Sequence, residues 1–294
     1  DKNYAQHLGI MIYSLMTNTA TPNLFDIYIV DGGILPEDIK RFESISQKFG
    51  CKMFFLKPDR SYFDKLKVYE IYSEATYYRY FLIDTTTVEK MLFLDCDMVI
   101  EGDVIELYNT DQKGNIISAV FEALCPLKHL EKIKLDKSFN AGMFLVNCKK
   151  WQEEKISQKA YQYQLENEKM LEYPDQDSLN IILKDSWQMV PYKWNVIARL
   201  GRAKYGIGKA DYRIISKKEL FENYYNPKII HYANRLFKPW FWLDPSPYKK
   251  NYIHYKNLSP WKEIPFPDQS ISGVFKRIGY YFSFVFKYIK RNKL

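Results

Sequence analysis

This 294-residue chain has no cysteine pattern to build on: Cys51, Cys96, Cys125 and Cys148 are scattered, with no CxxC pair and no metal-ligand spacing. A chain this long buries a sizeable core without covalent staples, so the expectation is reduced thiols in a cytoplasm. No stretch reaches the roughly 18–20 apolar residues that span a bilayer. Asp1-Lys2-Asn3-Tyr4 lacks the basic start and apolar run of a signal peptide. There are no internal repeats. Histidine is scarce, at four residues, and the C-terminal stretch is rich in bases without a single acid. From Ile271 to Leu294 there are six bases (Lys276, Arg277, Lys287, Lys290, Arg291, Lys293) and no Asp or Glu.

What is present is ordinary globular composition with an aromatic surplus: 47% apolar, 17% aromatic and 27% charged residues. The net charge is +8, with an isoelectric point near 9.0. Setting the six tail bases aside leaves 37 bases against 35 acids, so the remainder is nearly neutral. That balance, with no recognisable DNA- or RNA-binding motif, argues against a nucleic-acid partner. The abundance of Lys, Asn, Ile and Tyr suggests an AT-rich bacterial genome.

Strand and helix periods alternate through the first half. Helices are expected over Ala5–Thr17, Pro36–Phe49, Ser73–Ile83, Lys149–Met170 and Asp177–Lys184. Strands are expected over Phe25–Val30, Cys51–Leu56, Lys90–Asp95, Asn115–Phe121 and Gly142–Asn147. This order predicts an α/β fold with a mainly parallel, Rossmann-like sheet flanked by helices. The opening polar run suggests a first strand ahead of Asp1. The prolines of Ser259–Asp268 favour an extended connector. The expected divisions are residues 1–258 as a catalytic domain, 259–270 as connector and 271–294 as a basic amphipathic extension.

The sharpest chemical feature is Met91-Leu-Phe-Leu-Asp95-Cys96-Asp97. Period-two alternation would turn Asp95 and Asp97 to one face and Cys96 away. Carboxylates at a strand's C-terminal end sit where open α/β sheets hold ligands, and a divalent cation relieves their repulsion. A solvated acidic turn is the alternative.

Here the sequence resembles family-8 glycosyltransferases. Asp95-Cys-Asp97, Phe139-Asn-Ala-Gly142, Asp175-Gln-Asp177, and His231-Tyr232 followed by Lys238-Pro-Trp240 occur in that family's order. Asp1-Lys-Asn-Tyr-Ala5 and Thr76-Tyr-Tyr-Arg79 add to the likeness, which covers about residues 1–240. The resemblance implies a retaining, metal-dependent GT-A enzyme similar to bacterial lipopolysaccharide glucosyl- and galactosyltransferases and to glycogenin. It implies Asp95, Asp97 and His231 as ligands of Mn²⁺, with Mg²⁺ as the alternative. By itself His231 would read as a core or surface imidazole, while His7, His129 and His254 read as structural or solvated. UDP would be held by Asp1, Asn3 and Tyr4, with the backbone near Cys96 along the ribose. The donor sugar would meet Arg79, Asp175, Gln176, and a turn at Asn140 and Ala141. Lys238 would stabilise the departing phosphate. Asp177 or Asp175 would also cap a helix.

Arg79, Asp175 and Gln176 are thus the catalytic candidates. Gln176 would face the anomeric carbon, but a neutral amide oxygen is a poor nucleophile, which favours same-face substitution over a covalent intermediate. Two departures concern the phosphate loop and the acceptor side. The insert Ala233–Phe237 lacks the family's glycine, with Arg235 as a compensating charge, and Glu122 stands where relatives carry Asp. Two other functions stay open: a catalytically silent sugar-nucleotide-binding scaffold, and a phosphohydrolase using Asp95-x-Asp97. The expected activity is transfer of glucose or galactose from UDP-glucose or UDP-galactose to a glycan, glycolipid or glycoprotein acceptor in polysaccharide biosynthesis. In the tail, Phe275, Ile278, Phe282, Val285 and Ile289 recur at helical spacing among bases. That pattern suits peripheral attachment to the inner face of an anionic membrane, with a helix packed on the domain as the alternative.

Overall fold

The computed structural model describes residues 1–59, 62, 74–203, 209–233 and 238–291. Local signals set the first two long helices. Ala5–Thr17 buries Ile10, Met11, Ile12 and Leu15. Pro36–Phe49 opens on proline, carries Glu37 and Asp38 in its first turn, and ends at Gly50 with φ 73°. That left-handed cap suits glycine, which has no Cβ to clash.

The strands are β1 (Asp26–Val30), β2 (Lys52–Leu56), β3 (Lys90–Leu94), β4 (Met98–Ile100), β5 (Ile117–Phe121), β6 (Phe139–Asn147), β7 (Trp187–Val190), β8 (Val196–Ile197) and β9 (Ile229–His231). They form a β1-β2 pair, a four-stranded sheet in the order β3-β6-β5-β7, and a three-stranded sheet in the order β4-β9-β8. The β1–β2, β5–β7 and β8–β9 ladders are parallel. The β3–β6, β5–β6 and β4–β9 ladders are antiparallel. Among the described residues the pairing is therefore mixed where a mainly parallel sheet was expected. The reason is β6: its residues from Phe139 to Val146 are all buried, and a strand covered on both faces reads as the same apolar run in either direction.

Two helices replace the one expected over Lys149–Met170. Cys148–Glu153 and Ile156–Asn167 are separated at Lys155, which takes a left-handed φ of 53°. The helix expected from Asp177 starts at Pro174 and runs to Ile182, so that Asp175 and Asp177 both lie in its first turn. Of the helix expected over Ser73–Ile83, Ser73 lies outside the described residues. Glu74–Tyr77 is a 3-10 turn leading into an α-helix over Tyr78–Thr85.

The segment after Leu258 is bound to the rest of the chain by specific contacts. Trp261 is fully buried, and its Nε1 donates to Asp38 Oδ1 at 2.7 Å. The Asp268 carboxylate accepts from the Trp242 and Leu243 amides at 2.5 and 3.0 Å. The tail forms the helix Ile271–Arg291. No helix among the described residues is long and apolar enough to cross a membrane.

Candidate active site

β3 ends at Leu94 and β4 starts at Met98, so Asp95-Cys96-Asp97 is a bend joining two sheets. The carboxylates converge through that bend, where strand alternation alone was expected to align them. The Asp95 amide donates to Gly142 O at 2.8 Å, and Asp97 O accepts the Tyr232 amide at 3.0 Å. These two bonds seat the bend between β6 and the end of β9, the strand that carries His231. His231 Nε2 lies 3.2 Å from Asp97 Oδ1 and 3.9 Å from Asp95 Oδ2. One donor atom from each of the three residues lies within 4.8 Å of the others. Two carboxylates and one imidazole are a donor set that suits Mn²⁺ or Mg²⁺.

The two carboxylates are held differently. Burial pushes Asp95 up to about 6; Arg79 and His231 work against that, while Asp97 adds to it. Burial would raise Asp97 as well, but Lys238 and His231 outweigh it and hold that carboxyl far below the usual range. Lys238 Nζ reaches Asp97 Oδ2 at 2.5 Å and donates to Tyr232 O at 2.9 Å.

Arg79 comes from the Tyr78–Thr85 helix and is buried beside Asp95. Its Nη1 donates to Ala141 O at 2.6 Å, and its Nη2 lies 3.3 Å from Asp95 Oδ1 and 3.4 Å from Asp175 Oδ2. Burial alone would lower its pKa, but these two acids reverse the shift, so the guanidinium stays charged. Burial raises Asp175, with Arg79 opposing. One arginine thus ties the Asp95 bend to the start of the Pro174–Ile182 helix.

Asn140 and Ala141 were expected in a turn, but they lie within β6. The β5–β6 register slips between Ala119 and Phe121, so that Ala119 faces Phe144 while Phe121 faces Phe139. This irregularity frees the Asn140–Gly142 stretch from the β5 ladder and leaves its backbone to pair with groups from other elements, the Ala141 amide with Gln176 and the Ala141 carbonyl with Arg79. Gln176 Oε1 accepts from the Ala141 amide at 3.1 Å and lies 3.4 Å from Asn140 Nδ2. Its oxygen is already engaged, which adds to the chemical case against Gln176 as a nucleophile. Gly142 is required by space: a Cβ there would lie 2.4 Å from His231 Cε1 and 2.7 Å from Asp95 Oδ2.

These groups line a cleft of about 220 Å³ that gathers Arg79, Asp95, Asp97, Glu122, Asn140, Ala141, Asp175, Gln176 and His231. Asp1, Asn3, Tyr4, Cys96 and Lys238 are not in its wall. Asp1 Oδ1 instead accepts the Asn3 and Tyr4 amides at 2.9 and 3.3 Å, which fixes the start of the first helix. Tyr4 packs edge-on against His7 and Trp240, and its hydroxyl is raised to about 12 by burial and then by Asp97. Glu122 is buried, accepting the Leu124 amide at 3.0 Å and Asn140 Nδ2 at 2.7 Å. Of the Ala233–Phe237 insert only Ala233 is described, so Arg235 lies outside the described residues.

His7 and His129 have structural partners. His7 stacks on Trp240 with centroids 3.7 Å apart, and burial followed by Lys238 lowers it to about 3. His129 Nε2 pairs with Asp177 Oδ1 at 2.9 Å, while Asp177 Oδ2 accepts the Glu172 and Tyr173 amides at 3.0 Å. Asp177 is therefore an anchor for the helix start.

Sequence reasoning missed Tyr173 and Arg199 in the cleft wall, and Asn195 behind His231. None of the three sits in a short motif. Asn195 and Arg199 flank β8 and Tyr173 is the N-cap of the Pro174–Ile182 helix, so only the folded chain reveals them.

The chain is similar to known proteins along most of its length. The family model described as glycosyl transferase family 8 matches residues 1–243. General stress protein A of Bacillus subtilis is 31% identical over 278 residues, covering 91% of this chain and 94% of that protein. The lipopolysaccharide 1,2-glucosyltransferase of Escherichia coli K12 is 25% identical, covering 90% of this chain and 77% of its own. Among solved structures, the galactosyltransferase LgtC in complex with donor and acceptor sugar analogs superposes with a TM-score of 0.73. It does so at 21% identity over 88% of this chain and 94% of that one, a likeness of fold. The family match places Asp95 and Asp97 in a glycosyltransferase domain and leaves the phosphohydrolase alternative without support. With its GT-A architecture, its Asp95–Asp97–His231 cluster and this match along most of its length, the chain belongs to glycosyltransferase family 8.

Proposed function

We propose that the chain is a retaining hexosyltransferase that moves glucose or galactose from UDP-glucose or UDP-galactose to a glycan, glycolipid or glycoprotein acceptor. The observation that carries this reading is the convergence of Asp95, Asp97 and His231 on one cleft with Arg79, Asp175 and Gln176. Asp95, Asp97 and His231 would hold the ion, Mn²⁺ before Mg²⁺. Once bound it supplies Lewis-acid stabilisation to the diphosphate.

The residues of the chain do the rest. Asp1, Asn3 and Tyr4 bind the uridine, with Cys96 along the ribose. Lys238, beside Asp97, offers a cation to the departing β-phosphate, where negative charge builds as the anomeric C–O bond breaks. Arg79 holds Asp95 and Asp175 in place, and Asp175 meets the sugar hydroxyls with Asn140 and Ala141. The acceptor oxygen bonds to the anomeric carbon on the leaving-group face, and its proton passes to the phosphate. Gln176 lies across the opposite face and stabilises positive charge on the sugar ring through its amide dipole. Glu122 lies on the acceptor side.

The tail supports attachment at the inner membrane surface. In the Ile271–Arg291 helix, Arg277 is buried against Asp244, 2.9 Å away, with Tyr281 beside it. Exposed Ile271, Phe275, Ile278 and Phe282 run along another face at spacings of four, three and four. The helix is thus fastened by one side and displays an apolar stripe. Lys276 remains exposed, whereas Lys287, Lys290, Arg291 and Lys293 lie beyond the described side chains. Arg277 is committed internally and is not among the lipid-facing bases. The proposed divisions remain residues 1–258, 259–270 and 271–294.

The test is UDP release from UDP-glucose and UDP-galactose with Mn²⁺, before and after chelation. Release that stops with chelator is expected. Nucleotide binding with no turnover, even with acceptors supplied, would favour the scaffold reading. A glycosylated Gln176 trapped by mass spectrometry would overturn same-face substitution.

A further inference from the structure

Hydrogen-bond direction along one buried chain of side chains determines that His231 carries a hydrogen on Nδ1. It begins at a backbone amide, which can only donate. The Gly142 N–H lies 3.0 Å from Asn140 Oδ1, so that end of the Asn140 amide is the oxygen, and its Nδ2 faces Glu122 Oε2 at 2.7 Å. The group 2.9 Å from the same Asn140 oxygen must then be a donor, which orients Asn195 with its Nδ2 toward Asn140. That leaves Asn195 Oδ1 facing His231 Nδ1 at 3.0 Å. An amide oxygen only accepts, so the Nδ1 position carries the hydrogen. The Nε2 lone pair of a neutral ring then points at Asp97 Oδ1, 3.2 Å away, and toward Asp95. At that distance the ring nitrogen and the carboxylate oxygen need a cation between them, a proton when the ring is charged or the divalent ion that takes its place.

We propose that Asn195 is a positioning residue that holds His231 in the Nδ1–H form and thereby keeps Nε2 open to a divalent ion. Asn195 is fully buried, and Glu122, Asn140 and His231 are each less than a tenth exposed, so water does not compete for these bonds. Metal-bound histidines generally donate their second ring nitrogen to such a partner, and loss of that partner weakens metal binding 10–100-fold. The ligand set, Asp95, Asp97 and His231, is the one under Proposed function, and the inference rests on that reading. It adds that the Glu122 carboxylate, through Asn140 and Asn195, orients the imidazole from the far side of the cleft. Without Asn195 as acceptor, the ring hydrogen moves to Nε2, where Asp97 accepts it, and the metal position is blocked.

The experiment uses the full chain with ¹⁵N-labelled histidine. The form of His231 is read by long-range ¹⁵N–¹H NMR without metal, assigned by the signals lost in His231→Gln. Binding of Mn²⁺ alone is read from the EPR signal of the unbound ion. Wild type is expected to show Nδ1–H. Asn195→Leu is expected to show Nε2–H and 10–100-fold weaker Mn²⁺ binding. Asn195→Asp, which restores an acceptor to Nδ1, is expected to keep Nδ1–H and bind Mn²⁺ more tightly than the leucine variant. A wild-type ring with Nε2–H and no hydrogen on Nδ1, or an unchanged ring form and Mn²⁺ affinity in folded Asn195→Leu, overturns the proposal. Should Asn195→Leu not fold, Nε2–H in Asn195→Asp overturns it. A wild type that shows Nδ1–H yet binds no Mn²⁺ refutes the metal reading and leaves the role of Asn195 in the ring form standing.

Discussion

Gly142→Ala adds one methyl group at the most crowded point of the cleft. Gly142 is not in the left-handed region, so alanine meets no backbone penalty there. Elsewhere that exchange would stabilise by about 0.4–1 kcal/mol, through loss of unfolded-chain freedom. Here the new Cβ would stand 2.4 Å from His231 Cε1, 2.7 Å from Asp95 Oδ2 and 3.1 Å from Asn140 Oδ1, against an ordinary contact of 3.4 Å or more. Restoring contact moves His231 by about 1 Å, and Asp95 by most of that. Neither residue has slack: Asn195 holds the imidazole, while Arg79 and the Gly142 carbonyl hold the Asp95 segment. A misplacement of about 1 Å costs on the order of 100-fold in rate, equivalent to about 2.7 kcal/mol of barrier. Overpacking costs a further 1–3 kcal/mol of stability, roughly. The assays are Mn²⁺-dependent hydrolysis of the UDP-sugar, Mn²⁺ binding by EPR, and urea unfolding followed by circular dichroism. A folded Gly142→Ala protein with wild-type rate and wild-type Mn²⁺ affinity would refute the placement of His231 and Asp95 as joint ligands.

Other consequences follow from the same contacts. Asp97→Asn removes a proposed ligand and the charge partner of Lys238, and should abolish Mn²⁺-dependent turnover while circular dichroism still reports a folded chain. Full activity would remove Asp97 from the metal site. Arg277→Met leaves the buried Asp244 carboxylate without its guanidinium and should lower unfolding free energy by about 3 kcal/mol, the range for breaking a buried pair; denaturant titration measures it. His129 is raised by its hydrogen bond to Asp177, so its charged form favours the folded state. That stability is complete below the unfolded value of about 6.5 and is lost as pH rises through the higher folded value. His129→Gln should therefore lose less stability than wild type between pH 6 and pH 9 in urea titrations, and parallel losses would contradict the pair. Phe275→Ser with Phe282→Ser removes two members of the exposed stripe and keeps Arg277, and should reduce co-sedimentation with anionic liposomes. Equal sedimentation before and after would count against the tail as an anchor.

Local chemistry was legible where it acts over a few residues. The Pro36–Phe49 helix has its proline, its first-turn acids and its terminal glycine within fifteen residues, and the structure starts and stops it at those signals. The Ala5–Thr17 helix was readable from its apolar spacing in the same way. Asp95 and Asp97 stood out because two carboxylates ended an apolar strand. What was not legible depends on direction and pairing. The buried β6 run carries no mark that it lies antiparallel to both β3 and β5, nor that it starts at Phe139, ahead of Asn140 and Ala141, which read as a turn. Arg277 read as one more tail base, because its partner Asp244 lies 33 residues earlier.

The sequence by itself determined the first helices and strands, the family, and the residue types available for metal, phosphate and sugar, since each of these is written in short-range pattern. Only the tertiary structure decided how those residues act. It brought Asp95 and Asp97 to His231 from strands more than a hundred residues apart, placed Arg79 between two acids, and aimed the Asn195 amide at the imidazole. Hydrogen-bond direction and close approach belong to the packed chain, where every buried donor must find one particular acceptor.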